Sequence, residues 1–199
     1  MTKHLSLLLI CIGLIIAGCS PDVKRVDTDE VIDLSGRWND TDSRLVAEEM
    51  IQDALDRPWI RQFMQKNNGN VPVVIVGTVQ NLSHEHINVQ TFVKDLERSL
   101  INSGEVEFVS SREERVELRE ERVDQAYHAS EKTVKKDRME TGADFMLQGS
   151  INSILDRTNN KAVMFYQVNL ELTDLESHKK VWIGDKKIKK LIKRPDFKP

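Results

Sequence analysis

Apolar residues recur at two periods along this 199-residue chain, and the change of period predicts its elements. Val46, Met50 and Ala54 fall at i, i+4 and i+8, with Ala47, Ile51 and Leu55 beside them. That spacing predicts a helix running to about Asp56 with a broad apolar stripe for a core. The cluster Asn39-Asp40-Thr41-Asp42-Ser43 before it is rich in helix-capping side chains. Pro58 opens a second, short helix with Trp59, Ile60, Phe63 and Met64 on one face. Lys66 to Asn70 reads as a loop. Val71 to Val79 is a dense β-branched run, apolar on both faces, as a central strand requires. Asn81 to Asn88 reads as a loop. Val89 to Asn102 is a helix on Val89, Val93, Leu96 and Leu100, stopped by Gly104. Val106 to Val109 is a short second strand, which the βαβ rule makes parallel to the first.

Ser111-Arg112-Glu113-Glu114 forms a capping box and opens a charged helical region reaching about Thr141, with Gly142 ending it. A break near His128-Ala129-Ser130 would divide it into two helices. Its stripe of Val116, Val123, Tyr127 and Val134 is thin, which places it along the domain edge. Beyond it the period becomes two. Ala143 to Leu155 is a strand with Gly149 as a candidate bulge, and Thr158-Asn159-Asn160 is a turn. Ala162 to Thr173 alternates so regularly that only one face can be buried. Lys180 to Ile188, with Trp182, completes the set. The order β-α-β-α-β-β-β, preceded by N-terminal helices, predicts an α/β domain. Its mixed sheet has four to five strands, with helices on one side. Trp38, Trp59 and Trp182 read as core residues.

The N-terminus follows neither period. Lys3 and His4 precede an almost uniformly apolar run from Leu5 to Ile16, which is too short to span a bilayer as a mature helix. Ile16-Ala17-Gly18-Cys19 follows. Small residues at 17 and 18 suit a signal peptidase, and the Cys19 thiol can take a diacylglycerol. The stretch resembles the lipobox of bacterial lipoproteins, with Ile for the usual first Leu. That resemblance implies cleavage between Gly18 and Cys19, and lipid attachment, palmitate included, at Cys19. Ser20 rather than Asp favours the outer membrane under the enteric sorting rule. Residues 1–18 are therefore a signal peptide, and 19–33 a short polar tether extending at most about 65 Å as far as Trp38. Residues 34–192 form the domain, and 193–199 a basic tail.

Cleavage leaves no free thiol, disulfide or cysteine metal site, since Cys11 departs and Cys19 is acylated. The remaining 181 residues (199 less 18) are enough for one core. Removing Lys3 takes the net charge from −3 to −4, which gives no reason to expect nucleic acid as a partner.

Catalytic signatures are missing. There is no Gly-x-Ser-x-Gly elbow, His-Glu-x-x-His, P-loop or Gly-x-Gly-x-x-Gly, so neither an enzyme, a cofactor nor a small-molecule substrate is expected. His84-Glu85-His86 is the one dense cluster of ligand-type residues. It lacks a third or fourth ligand, and a polar strand-to-helix loop is the preferred reading over a metal. Glu113/Glu114 and Glu120/Glu121 alternate with Arg112, Arg115, Arg119 and Arg122 at spacings suited to a solvated helix face. The basic C-terminus (Lys186, Lys187, Lys189, Lys190, Lys193, Arg194 and Lys198) suits either an anionic contact or an edge strand guarded by lysines. The edge strand is preferred.

Three stretches together resemble one family. They are Leu34-Ser35-Gly36-Arg37-Trp38-Asn39-Asp40-Thr41-Asp42-Ser43-Arg44, then Val73-Val74-Ile75-Val76-Gly77 with Asn102-Ser103-Gly104, then Thr141 to Gly149 with Val168 to Leu172 and Val181 to Gly184. The chain is similar to the LpoB-type penicillin-binding-protein activators, outer-membrane lipoproteins that stimulate a bifunctional peptidoglycan synthase. The resemblance implies a non-enzymatic regulator of cell-wall synthesis and cell shape. It implies a fold similar to the TolB N-terminal domain, a class A penicillin-binding protein as partner, and a domain facing the periplasm. Enteric members carry a long Pro-rich linker after the lipidated cysteine, whereas the tether here is short. No partner-binding residue carries over position by position. The alternative function is a structural or secretion-linked outer-membrane adaptor of related fold. Such a pore needs a membrane-spanning hairpin, and no segment of that kind is seen.

Overall fold

The computed structural model describes residues 22–28, 30–135 and 139–193. The chain divides into two units, Met1–Val31 and Ile32–Pro199. Described residues of the first are exposed and form neither helix nor strand. The second contains helices α1 (Asp40–Leu55), α2 (Trp59–Lys66), α3 (Val89–Ser103) and α4 (Arg112–His128). Its strands are β1 (Val73–Leu82), β2 (Glu107–Phe108), β3 (Phe145–Arg157), β4 (Lys161–Asp174) and β5 (Lys180–Lys193). They form one five-stranded sheet in the order β2-β1-β3-β4-β5. β1 runs parallel to β2 and β3, while β3, β4 and β5 are antiparallel.

One face of the sheet carries the core. Along β4, Met164, Tyr166, Val168, Leu170 and Leu172 are buried and the intervening residues are not. Phe145, Leu147, Ile151, Val74 and Val76 extend the same layer across β3 and β1. α1 covers this layer with Val46, Ala47, Met50, Ile51 and Ala54, all buried as their spacing demands. α3 adds Phe92, Leu96 and Leu100. Each fully buried aliphatic side chain contributes about 1.5–3 kcal/mol. α2 closes one end, where Trp59 and Phe63 meet Phe145 edge-on at centroid distances of 5.0 and 5.4 Å. Gly104 ends α3 at φ +69°, a conformation that disfavours a side chain.

Several boundaries depart from the sequence reading. β1 continues to Leu82 because β3 pairs with it as far as Asn152, so part of the expected loop from Asn81 is strand. β3 starts at Phe145 rather than Ala143, since the Asp144 carboxylate accepts the Val73 N–H at 2.8 Å and takes the place of a ladder bond. The bulge lies not in β3 but in β1, where register shifts between Val76 and Val79 opposite Leu147 and Gly149. α4 stops at His128, well short of Thr141. Ala129 is extended, and Ser130 begins a turn closed by the Thr133 N–H. The Ser111–Glu114 capping box is present as read.

Candidate functional site

The segment from Asp33 to Ser43 leads into α1, and its polar groups converge on the core face of β4 and β5. Asn39 caps α1. Its side-chain oxygen accepts the Asp42 N–H at 3.0 Å, and Asp42 Oδ2 accepts the Asn39 N–H at 3.0 Å. Trp38 is half-buried against Tyr166 and Phe92, edge-on at 5.4 and 6.3 Å, so it is a core residue as read. Its indole N–H donates to Ser43 Oγ at 2.8 Å.

Two charged groups hold this lead-in segment from outside it. The first is Glu85. Its carboxylate accepts the Tyr166 hydroxyl at 2.8 Å and the Trp38 N–H at 3.1 Å through one oxygen. The Tyr166 hydroxyl also lies 3.2 Å from the Gly36 carbonyl. The second is Lys190, whose ammonium donates to Asp42 at 2.7 Å, Asp33 at 3.0 Å and the Arg37 carbonyl at 3.2 Å. Burial alone would lower the Lys190 pKa, but its bonds to Asp42 and Asp33 outweigh that and raise it. Lys190 also holds the Asp33 carboxyl below its ordinary value. The buried face of β5 therefore carries a cation where the apolar alternation of the sequence ends. Pairing with β4 carries β5 on past Ile188 to Lys193, with Lys190 and then Ile192 on the inner face.

The His84-Glu85-His86 cluster splits. Glu85 turns inward while both histidines are exposed, and His84 Nδ1 lies 3.2 Å from Ser153 Oγ. Asn81 fixes this loop by donating to the Glu85 carbonyl at 2.8 Å. No group of three or more metal-ligating side chains occurs among the described residues. The sequence marked Glu85 only as a ligand candidate and Tyr166 only as an apolar member of β4. Neither spacing nor composition links residues 81 positions apart.

Of the basic residues read as a charged edge, Lys190 is nearly buried, Lys186 pairs with Glu49, and Lys187 pairs with Asp185 at 2.8 Å. β5 is the edge strand expected. Arg119 and Arg122 pair with Glu140, beyond the end of α4, at 2.7 and 2.6 Å. Cys19 and residues 194–199 lie outside the described residues.

Burial, and then the adjacent Glu85 carboxylate, push the Tyr166 phenol well above its ordinary pKa of 10.0. Stability from this group is complete below that ordinary value. It is lost as pH rises toward the folded value, because the unfolded chain gives up the proton first. In a Tyr127→Phe background, tyrosinate absorbance should appear only together with loss of the folded circular dichroism signal. A phenol that ionises while the chain stays folded would contradict the contact with Glu85. Tyr166→Phe should cost about 1–2 kcal/mol in urea unfolding, since Glu85 loses a donor in a half-buried place.

The sequence profile of the family described as the peptidoglycan-synthase activator LpoB matches residues 42–188. No curated protein matches the chain. Among solved structures, the LpoB C-terminal domain from Salmonella enterica is 16% identical, covering 66% of this chain and 93% of that one, at a TM-score of 0.35. The corresponding domain from Escherichia coli is 16% identical, covering 65% and 94%, at 0.37. The solution structure of Escherichia coli LpoB is 15% identical, covering 89% and 87%, at 0.34.

Proposed function

The chain belongs to the LpoB family of peptidoglycan-synthase activators, and on that membership we propose that it is an outer-membrane lipoprotein that activates a bifunctional synthase by direct contact. The profile match across the domain carries this reading. In the proposed layout, residues 1–18 are removed, Cys19 is acylated, 19–33 tether, 34–192 form the periplasmic domain and 193–199 a basic tail. The apolar run and small residues before Cys19 support the anchor. No helix among the described residues is long and apolar enough to cross a membrane.

Membership in a family described as activators supports a regulator rather than an enzyme. Glu85 and Tyr166 suit that role. Both are committed to holding the lead-in segment, and the phenol keeps its proton. The proposed partner is a class A penicillin-binding protein. Activation needs only that the domain bind the active conformation of the synthase better than the inactive one. A tenfold preference supplies about 1.4 kcal/mol toward the active state.

The test is glycan polymerisation by the bifunctional synthase of the same organism, with and without the purified chain. Stimulation that saturates with the chain supports the reading. Absence of both binding and stimulation at micromolar concentration removes it, and leaves a structural adaptor as the alternative. The anchor is tested separately. Cys19→Ala should release the chain from membranes washed in high salt, with its circular dichroism spectrum unchanged. Retention in the membrane fraction would refute lipid attachment at Cys19.

A further inference from the structure

Helix α4 and the uncovered face of the sheet are each incomplete alone. α4 has 17 residues and buries none of them. Isolated helices of about this length are marginal in water, and proteins stabilise them by covering an apolar face. On α4, Val116, Val123 and Tyr127 form such a stripe and remain open, Tyr127 at 81% exposure. Glu113, Glu117, Glu120 and Asp124 follow at i, i+4, i+7 and i+11, which places them in a row beside that stripe. On the other flank, Arg119 and Arg122 are already engaged by Glu140. The open side of α4 is thus apolar and acidic.

The sheet presents the converse. On the face away from the core, register places Ile154 beside Phe165 and Phe165 beside Lys189. The next rows place Val163 beside Leu191 and Lys161 beside Lys193. Ile154 and Leu191 are 63% and 59% exposed, and Phe165 and Val163 are half-buried. Among the described residues, Lys161, Lys189 and Lys193 have no ion-pair partner. This end of the sheet is an apolar patch bordered by three lysines, with Asp156 beside Val163 as its one acidic neighbour, so its net charge is positive. The outer face of an antiparallel sheet can stay solvated with polar residues, but a contiguous apolar patch on it marks a site of interaction.

We infer that α4 of one chain packs on this patch of a second copy. Charge decides the occupant. The patch is basic, the free side of α4 is acidic, and both have aliphatic or aromatic residues at their centre. Opposed fields of this kind steer association and fix its register. Helix and patch are different surfaces, so the contact is head-to-tail. The pair then keeps one helix and one patch free, and the contact repeats into a ring or an open row. The inference does not depend on the synthase reading.

Sedimentation velocity of the full chain in non-ionic detergent tests it, with Glu117→Lys/Glu120→Lys reversing the helix and Lys189→Glu/Lys193→Glu reversing the patch. The wild-type chain should self-associate at low salt and dissociate as salt rises. Each reversal should weaken association by about tenfold or more. An equimolar mixture of the two variants should recover it, because reversed helix meets reversed patch and native meets native. Recovery also shows that both variants are folded. A wild-type chain that stays monomeric throughout, self-association that survives both reversals, or a mixture that fails to recover would each overturn the inference. In the first of these cases the patch would have to serve a different acidic partner.

Discussion

Gly149→Ala is expected to remove the cooperative unfolding transition or to lower its urea midpoint by the equivalent of about 3 kcal/mol or more. A Cβ at position 149 would overlap the Asn169 carbonyl oxygen and a Leu170 methyl group. Gly149 pairs with Leu170 in the middle of the β3–β4 ladder, whose 13 register pairs run from Phe145 to Arg157. A backbone carbonyl in such a ladder cannot rotate away without breaking hydrogen bonds on both sides. Overpacking a core costs about 1–3 kcal/mol when side chains can adjust, so a collision with backbone costs about 3 kcal/mol or more. That is a large fraction of the total stability of an ordinary domain. Two controls grade the effect. Gly77→Ala meets Met146 Sδ at 2.9 Å, a flexible side chain that can move, and should cost about 1 kcal/mol. Gly142→Ala meets nothing within 4 Å and should stay within about 0.5 kcal/mol. Equal midpoints for Gly149→Ala and Gly142→Ala would mean that the β3–β4 register is wrong.

The glycines also show what was legible in the sequence. Gly149 was a sign of irregular β-structure, and the irregularity exists, but it belongs to the neighbouring strand. A glycine in a strand reports a close approach without saying which strand bends. The helices were legible where apolar spacing was broad, as in α1, whose stripe is buried except at its last residue, the partly buried Leu55. Pattern failed where charge carried the packing information. Lys190 breaks the alternation of β5, yet it points into the core side because Asp33 and Asp42 receive it. The break at His128 was legible, but the stretch beyond it was read as a second helix for a related reason. The charged stretch that follows has helical composition, but Glu140 folds back on Arg119 and Arg122. The Glu85–Tyr166 bond joins a loop to a strand far along the chain, and a single sequence carries no sign of it. The family, by contrast, was legible in short stretches that fall on the lead-in segment, the end of α3 and the sheet.

Asp42→Ala is expected to lower the free energy of unfolding by about 3–4 kcal/mol, through two losses that a double-mutant cycle can separate. Asp42 is 6% exposed, and its carboxylate both closes the α1 capping box and faces the Lys190 ammonium. Losing the capping interaction costs about 1 kcal/mol. The remainder comes from leaving a nearly buried lysine with only Asp33 and a carbonyl as partners, since an uncompensated buried charge costs about 3 kcal/mol or more. Lys190→Met removes the cation and keeps the capping box, so it should cost less than Asp42→Ala. The double variant should be more stable than the sum of the single losses predicts, with a coupling of about 1–3 kcal/mol. Urea midpoints at constant slope measure all three. Strict additivity would show that the two groups do not meet. The effect should also reach Trp38, whose ring lies against Tyr166 and whose indole donates to Ser43, next to Asp42. A fluorescence change at Trp38 in the folded Asp42→Ala protein would show that the lead-in segment loosens before the domain unfolds. In the proposed lipoprotein this segment joins the tether to the sheet. Loosening it there would add to the free length of chain between the proposed anchor and the domain while leaving the fold in place.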